Sequence, residues 1–221
     1  MIGLFDILGP VMVGPSSSHT AGACRLGLIA RAILGRTPEH ATIQLHGSFA
    51  ATGEGHGTQR AIVGGLLGLP PDDLRLRRAF EEAEHSGMEY AFRTVDLGED
   101  VHPNTAVLEV RSGDERLTIQ GTSIGGGQVE VSRIDDFPVS LGGDYDTLVL
   151  AAHDRPGTIA TISSVFAESG VNLATMRVDR TGRHKEALMT IELDAPISDQ
   201  ALERIRSFDW VIWARTIEKI A

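Results

Sequence analysis

Cysteine is nearly missing from this chain. Its 221 residues hold one, Cys24, which excludes an internal disulfide framework. It also excludes an iron–sulfur cluster held by the chain's own thiolates, since such clusters usually take about four. Lysine is almost as scarce: the only two are Lys185 and Lys219, so the first 184 residues have none. A pyridoxal-phosphate enzyme needs a Schiff-base lysine. Neither lysine has a catalytic setting, so no pyridoxal phosphate is expected. Basic charge is outweighed, 20 Lys+Arg against 30 Asp+Glu for a net −10, a poor match to a phosphate backbone. No apolar run reaches the roughly 18 residues of a membrane span. The apolar start, MIGLFDILGPVMVG, has no basic flank: the first Lys or Arg is Arg25, and Asp6 and Pro10 interrupt the run. It fails the pattern of a secretory signal, and a cytoplasmic location is expected.

What the chain does have is a balanced apolar content, 42%, and a near-neutral mean hydropathy of −0.02. Its length suits one large or two small domains. Residues 1–144 carry 11 basic and 19 acidic groups, and residues 145–221 carry 9 and 11. The breakers from Asp135-Asp136-Phe137-Pro138 to Gly142-Gly143-Asp144 read as a short linker. They predict a domain over 1–142 and a second over 145–221.

The second half alternates clearly. Thr147–Ala152 is a short apolar run, as in a buried strand. Asp154-Arg-Pro-Gly157 is a turn. Thr158–Glu168 repeats apolar residues at helical spacing, Ile159, Ile162, Val165 and Phe166, and Gly170 ends it. Val171–Arg180 and Glu186–Leu193 read as strands about a Thr181-Gly182 turn. Pro196 and Ser198 open a second helix, and Trp210–Ile217 closes with a strand. The order β-α-β-β-α-β is a ferredoxin-like split unit. With Asp154-Arg-Pro-Gly157 after the first strand and Val171-Asn172-Leu173 opening the second, it resembles an ACT domain. That family often binds amino acids where its first strand meets its first helix, frequently across a dimer interface. The resemblance makes Asp154, Gly157 and Asn172 the effector candidates. A purely structural or dimerising domain would show the same order.

The first half reads as α+β. Helices are predicted over Ala21–Leu34, with Arg25 and Arg31 off the main face, over Gly57–Leu67, and as a charged surface helix over Asp72–Ser86. Strands are predicted over Ala41–His46, Met88–Val95, Thr105–Arg111, Leu117–Ile124 and Gln128–Ile134, the last three as a meander.

Three segments carry candidate chemistry. Gly14-Pro-Ser-Ser-Ser-His-Thr-Ala-Gly22 gathers three serines, a histidine and a threonine ahead of an apolar helix. Ser18 or Thr20 is the expected N-cap. Free N–H groups and a partial positive charge there suit a carboxylate, and His19 can move a proton near neutrality. A capped turn with a surface histidine is the plainer reading, although one serine would serve it. Leu45–Thr58 reads as a strand, a glycine-rich loop and a helix, with Gly53, Gly55 and Gly57 allowing close backbone approach. Its spacing is neither G-x-G-x-x-G nor a P-loop, and a flexible loop would also fit. In Val101-His-Pro-Asn-Thr105, His102 and Asn104 could hold one polar ligand, or form an ordinary turn. His19, His46, His56 and His102 lack the spacing of a zinc motif. Cys24 is expected to pack as a small apolar group.

Phe5-Asp-Ile-Leu-Gly-Pro10, Gly14–Gly22, Gly47-Ser48 with Thr52-Gly-Glu-Gly-His-Gly-Thr58, and His102-Pro-Asn-Thr105 occur in that order. Together they closely resemble the β chain of bacterial iron–sulfur-dependent L-serine dehydratases, over essentially the whole chain. Gln59-Arg60 departs from the pattern, where an acidic residue often precedes the basic one. The resemblance implies an N-terminal allosteric-substrate-binding-like α/β domain followed by the ACT domain. It implies a carbon–nitrogen lyase, an L-serine ammonia-lyase that forms pyruvate and ammonia. In that family a [4Fe–4S] cluster with one open iron takes the substrate hydroxyl while a base removes the α-proton. Here the cluster would be carried by a separate α chain, with no metal ligand in this one.

By the same match His19, Ser18 and Thr20 are the catalytic candidates. Ser16, Ser17, Gly55, His56 and Gly57 would surround the substrate, and His102 and Asn104 would bind serine at an allosteric site. Expected partners are the α chain, L-serine and a second copy through the ACT domain. The competing class is an amino-acid sensor that regulates some partner enzyme. A detached regulatory half of a phosphoglycerate dehydrogenase is a weaker third. A cysteine-bearing α-chain reading frame next door would favour the dehydratase.

Overall fold

A computed structural model describes residues 11–182 and 185–219. The motif at residues 5–10 lies outside the described residues. The chain divides into two compact units, 1–135 and 136–221. The expected boundary was a few residues later.

The first unit starts with a π-helical turn, Ser17–Gly22, that runs into α1 (Ala23–Leu34). Strand β1 (His40–His46) leads to α2 (Gly47–His56) and α3 (Thr58–Leu66). The expected charged helix is a 3-10 turn, Leu74–Arg78, followed by a shorter α4 (Ala79–Ser86). Asp73 caps the 3-10 turn by accepting from Arg75 N at 2.8 Å. Strands β2 (Glu89–Val95), β3 (Thr105–Ser112), β4 (Glu115–Gly125) and β5 (Gln128–Ile134) complete it.

Where the linker was expected, residues Phe137–Leu141 form strand β6. Phe137, Val139 and Leu141 alternate inward there while Pro138 stays exposed. The period-two pattern outweighs the breakers, and a proline is tolerated on a terminal strand. Within the first unit the sheet order is β2-β1-β3-β4-β5. β1 pairs parallel with β2 and antiparallel with β3, and the β3-β4-β5 meander is antiparallel.

Register places Ile43, Leu108, Ile119 and Ile134 side by side across four strands, all buried. Thr42, Glu109 and Thr118 stand on the alternate positions. This apolar-in, polar-out alternation is that of a sheet with one covered face. Leu26, Ile29 and Ile33 of α1 and Ile62 and Leu66 of α3 are buried in the same unit. Glycines let α1 and α3 touch backbone to backbone. A methyl on Gly65 would overlap the Cys24 carbonyl oxygen and sit 2.9 Å from Leu28 N. A methyl on Gly27 would sit 2.9 Å from Leu66 N.

The second unit has the expected βαββαβ order: β7 (Asp146–His153), α5 (Thr158–Ser169), β8 (Leu173–Arg180), β9 (Glu186–Leu193), α6 (Asp199–Arg206) and β10 (Val211–Ile217). Its antiparallel sheet runs β10-β7-β9-β8. The core joins Leu148, Leu150 and Ile191 of the sheet to Ile162, Val165 and Phe166 of α5 and Leu202 and Ile205 of α6. Ile159, expected on the buried face of α5, is instead 50% exposed. Among the described residues no helix is long and apolar enough to cross a membrane.

Candidate active site

The residues around His19 take their places from two helix starts. Ser16 is extended, with φ −140 and ψ 124, and its hydroxyl accepts from His19 N at 3.2 Å. Ser16, not Ser18 or Thr20, is therefore the cap. Capping by Ser16 releases the Ser18 hydroxyl, which lies 3.1 Å from His19 Nδ1 and 3.3 Å from Ser16 Oγ. The π-turn adds a residue to the first winding, a departure often found at functional sites. It fits only because position 22 is glycine: a methyl there would overlap Ser123 Oγ.

The expected glycine-rich loop is helix α2. Three of its ten residues are glycine (Gly47, Gly53 and Gly55); Gly47 starts it at φ 53, and Gly53 and Gly55 inside it each cost about 1 kcal/mol against alanine. Tertiary packing offsets that cost. Phe49 is fully buried, and Gly53 is buried against Thr58, whose Cβ would be 3.1 Å from a methyl there. Gly57, at φ 75, ends the helix by donating back to Gly53 and Glu54.

One turn apart on α2, Ser48 and Thr52 meet the other side of the imidazole. Ser48 Oγ is 3.1 Å and Thr52 Oγ1 3.2 Å from His19 Nε2. The Phe49 ring meets His19 edge to face at 5.3 Å, and the His56 ring lies 5.1 Å away. Burial of the His19 ring, reinforced by the charge of His56, lowers its pKa; hydrogen bonding at Ser48 opposes the shift. The ring is thus held neutral further into the acid range and is ready to accept a proton.

The expected site residues divide into groups. Ser16, Ser18 and His19 form one network, and Ser17 opens the same turn half-buried. Buried Thr20 faces away and donates to His56 O at 3.1 Å, bracing the end of α2. Thr20, Gly55, His56 and Gly57 line a surface cavity of about 620 Å³ with Arg60 and Arg77. Ser48 and Thr52 fall in a motif that carries the family resemblance but were not named as site residues. Their signal is the i, i+4 spacing of two hydroxyls, hidden by reading the segment as a loop.

The His102 segment abuts both walls of this site. Pro103 O accepts from Phe49 N at 3.3 Å, and a methyl on Gly47 would sit 2.7 Å from Pro103 Cα. Asn104 O accepts from Ser123 N at 3.0 Å, and Ser123 is the residue pressed on Gly22. Asn104 N donates to His102 Nδ1 at 3.1 Å. Asn104 Oδ1 is buried and unpaired.

In the second unit Asp154 accepts from Arg180 at 3.3 Å, Gly157 turns into α5 at φ 93, and Asn172 donates to Asp194 at 2.6 Å. Asp154 and Asn172 stand at opposite ends of β8, on the order of 25 Å apart at strand rise. One chain therefore does not bring these effector candidates together.

Among the described residues no group of three His, Cys, Asp or Glu side chains could hold a metal ion. Cys24 is fully buried, its Sγ donates to Leu69 O at 3.1 Å, and burial pushes its pKa up to about 12. It is a packed thiol and not a ligand.

A model of the family described as "Serine dehydratase beta chain" matches residues 3–94, and one of the ACT domain matches 147–209. The "Probable L-serine dehydratase, beta chain" of Bacillus subtilis (strain 168) is 42% identical over 95% of this chain and 94% of its own length. The chain belongs to the L-serine dehydratase beta-chain family. A second member, the "L-serine dehydratase, beta chain" of Peptoniphilus asaccharolyticus, is 38% identical over 97% of each chain. The ACT-domain match falls on the βαββαβ unit described above. A more distant likeness, 25% identical, covers 87% of this chain but only 35% of the "D-3-phosphoglycerate dehydrogenase" of Synechocystis sp. (strain ATCC 27184 / PCC 6803 / Kazusa).

Proposed function

We propose that this chain is the β chain of an iron–sulfur-dependent L-serine dehydratase, acting in the cytoplasm with a cluster-bearing α chain to turn L-serine into pyruvate and ammonia. Residues 1–142 would supply the reaction groups, and 145–221 would form the ACT domain. The observation that carries this reading is the His19 ring, held by hydroxyls on both nitrogens in the first turn of a helix. Such a start suits a carboxylate, and a placed neutral imidazole suits removal of a carbon-bound proton.

The family's [4Fe–4S] cluster does not fit this chain. Its one thiol is protonated, buried and engaged with a carbonyl, and a cluster usually takes about four. The cluster is therefore assigned to the α chain, and steps at the substrate hydroxyl are left to that partner. This chain's share is at the other end of serine. Hydroxyls of Ser16, Ser17 and Ser18 and N–H groups of the turn would hold the carboxylate. His19 would accept the α-proton, while Thr20 and His56 keep α2 against the turn and Gly55 and Gly57 leave the cavity mouth open. Because that proton is a weak acid, placement matters more than basicity.

His102 and Asn104 are read as an outer serine site. Their segment touches the start of α2 and, through Ser123, the π-turn, so binding there could reach both walls of the His19 site. The ACT domain is read as the self-association module. The competing sensor reading rests on that same domain. It leaves the His19 network without a task.

The test is His19→Ala in the reconstituted αβ enzyme. Turnover should fall by roughly a hundredfold or more, the usual scale for a lost general base, with assembly unchanged. Near-wild-type rates would remove His19 from the reaction.

A further inference from the structure

We propose that Thr52 is a positioning residue that fixes the protonation pattern of His19, placing the ring proton on Nε2 and leaving Nδ1 as the bare nitrogen facing Ser18. The functional meaning rests on the dehydratase reading above; the proton assignment follows from a count of donors.

Thr52 Oγ1 has three neighbours: Ser48 O at 2.9 Å, His19 Nε2 at 3.2 Å and Ser48 Oγ at 3.3 Å. It carries a single proton. A carbonyl oxygen can only accept, so the shortest of these contacts, to Ser48 O, takes that proton. Toward the imidazole Thr52 then offers only a lone pair. A bare Nε2 would set lone pair against lone pair at 3.2 Å; an Nε2–H turns the same contact into a hydrogen bond. In a neutral ring the other nitrogen is then unprotonated.

The remaining hydroxyls agree with that choice. Nδ1 can accept from Ser18 Oγ at 3.1 Å, Ser18 Oγ can accept from Ser16 Oγ at 3.3 Å, and Ser16 Oγ accepts from His19 N at 3.2 Å. On the Nδ1 side every proton has one acceptor and none is shared. Ser48 Oγ, 3.1 Å from Nε2, accepts from the same N–H or donates to Thr52. His56 is fixed in the opposite sense, its Nδ1–H donating to Thr52 O at 3.1 Å. The base nitrogen is thus the one beside the three serines, where the substrate carboxylate would lie. The Ser18 hydroxyl stands between it and any substrate, and must turn aside or relay the proton.

The test reads the ring directly. The full chain, labelled with ¹⁵N in histidine, is studied by long-range ¹H–¹⁵N correlation, with His19→Gln used to assign the signals. Wild type should show a protonated Nε2 and a bare Nδ1 at His19. Thr52→Val removes the acceptor while keeping the shape, and Ser48 is then free to donate into Nε2. The two nitrogen shifts should move toward each other, and Thr52→Ser should restore the wild-type pattern. In the reconstituted αβ enzyme Thr52→Val should lower kcat by about threefold to tenfold, as the competent ring population falls, with KM within about twofold, and Thr52→Ser should recover the rate. A wild-type ring protonated on Nδ1, or Thr52→Val shifts identical to wild type, would overturn the assignment. Wild-type αβ enzyme that does not deaminate serine, with Nε2–H still observed, would overturn the dehydratase reading alone and leave the ring assignment standing.

Discussion

Gly65→Ala measures how closely the helices behind the site must approach. The added methyl would overlap the Cys24 carbonyl oxygen and stand 2.9 Å from Leu28 N and 3.0 Å from Cys24 C. All three are backbone atoms of α1, so no side chain can swing away. Carbon contacts are comfortable from about 3.5 Å, and the overlap with the Cys24 oxygen is the tightest, so α1 and α3 must part by about an ångström or more along their shared face. Overpacking of this kind costs about 1–3 kcal/mol, occasionally more. Against it stands the better helix propensity of alanine, about 1 kcal/mol. The clash wins, because parting the helices also loosens Leu26, Ile29, Ile62 and Leu66. Because the clash is with backbone, its cost belongs at the upper end of that range, about 3 kcal/mol, and a net loss of about 2 kcal/mol is expected.

Gly55 supplies the opposite case. It also lies in a helix, but nothing stands within 4 Å of a methyl there. Gly55→Ala should therefore be neutral or stabilising by up to about 1 kcal/mol. Urea unfolding of the full chain, followed by far-UV circular dichroism, reads both. Tryptophan emission is the wrong probe, since Trp210 and Trp213 both lie in the second unit. A Gly65→Ala midpoint at or above wild type would refute the backbone contact between α1 and α3.

Other outcomes follow from the same geometry. His102→Ala and Asn104→Ala should change the serine saturation curve of the αβ enzyme more than its cluster content; unchanged curves would make the segment merely a turn. His56→Gln removes a charge that lowers the His19 pKa, so the His19 titration followed by NMR should move up toward the ordinary histidine value of about 6.5. Because only neutral His19 can accept a proton, the acid limb of kcat/KM should move up with it. A downward move would contradict the assigned cause.

Much of this was legible in the sequence, for identifiable reasons. The βαββαβ unit announced itself because its strands are short apolar runs closed by Gly157, Gly170 and the Thr181-Gly182 turn. The meander was readable from Ser112-Gly113-Asp114 and Gly125-Gly126-Gly127. Two segments misled. Gly53 and Gly55 suggested a loop, yet burial of Phe49 keeps the stretch helical. Pro138 and its neighbours suggested a linker, yet Phe137, Val139 and Leu141 alternate inward. Arg25, expected off the main helix face, is buried and donates to Gly127 O at 2.7 Å, a partner 102 positions away that no local pattern reveals. The site was half visible. The Ser-Ser-Ser-His-Thr run stood out by composition. The hydroxyls on the far side of the ring did not, because they come from a helix that local propensity argues against.

The most direct measurement is anaerobic assay of pyruvate from L-serine, with the purified chain alone and with an α chain, both supplied with iron and sulfide. Alone, the chain should stay colourless and inactive; with the cysteine-bearing partner, pyruvate should form. A brown preparation that consumes serine with no partner present would contradict the account.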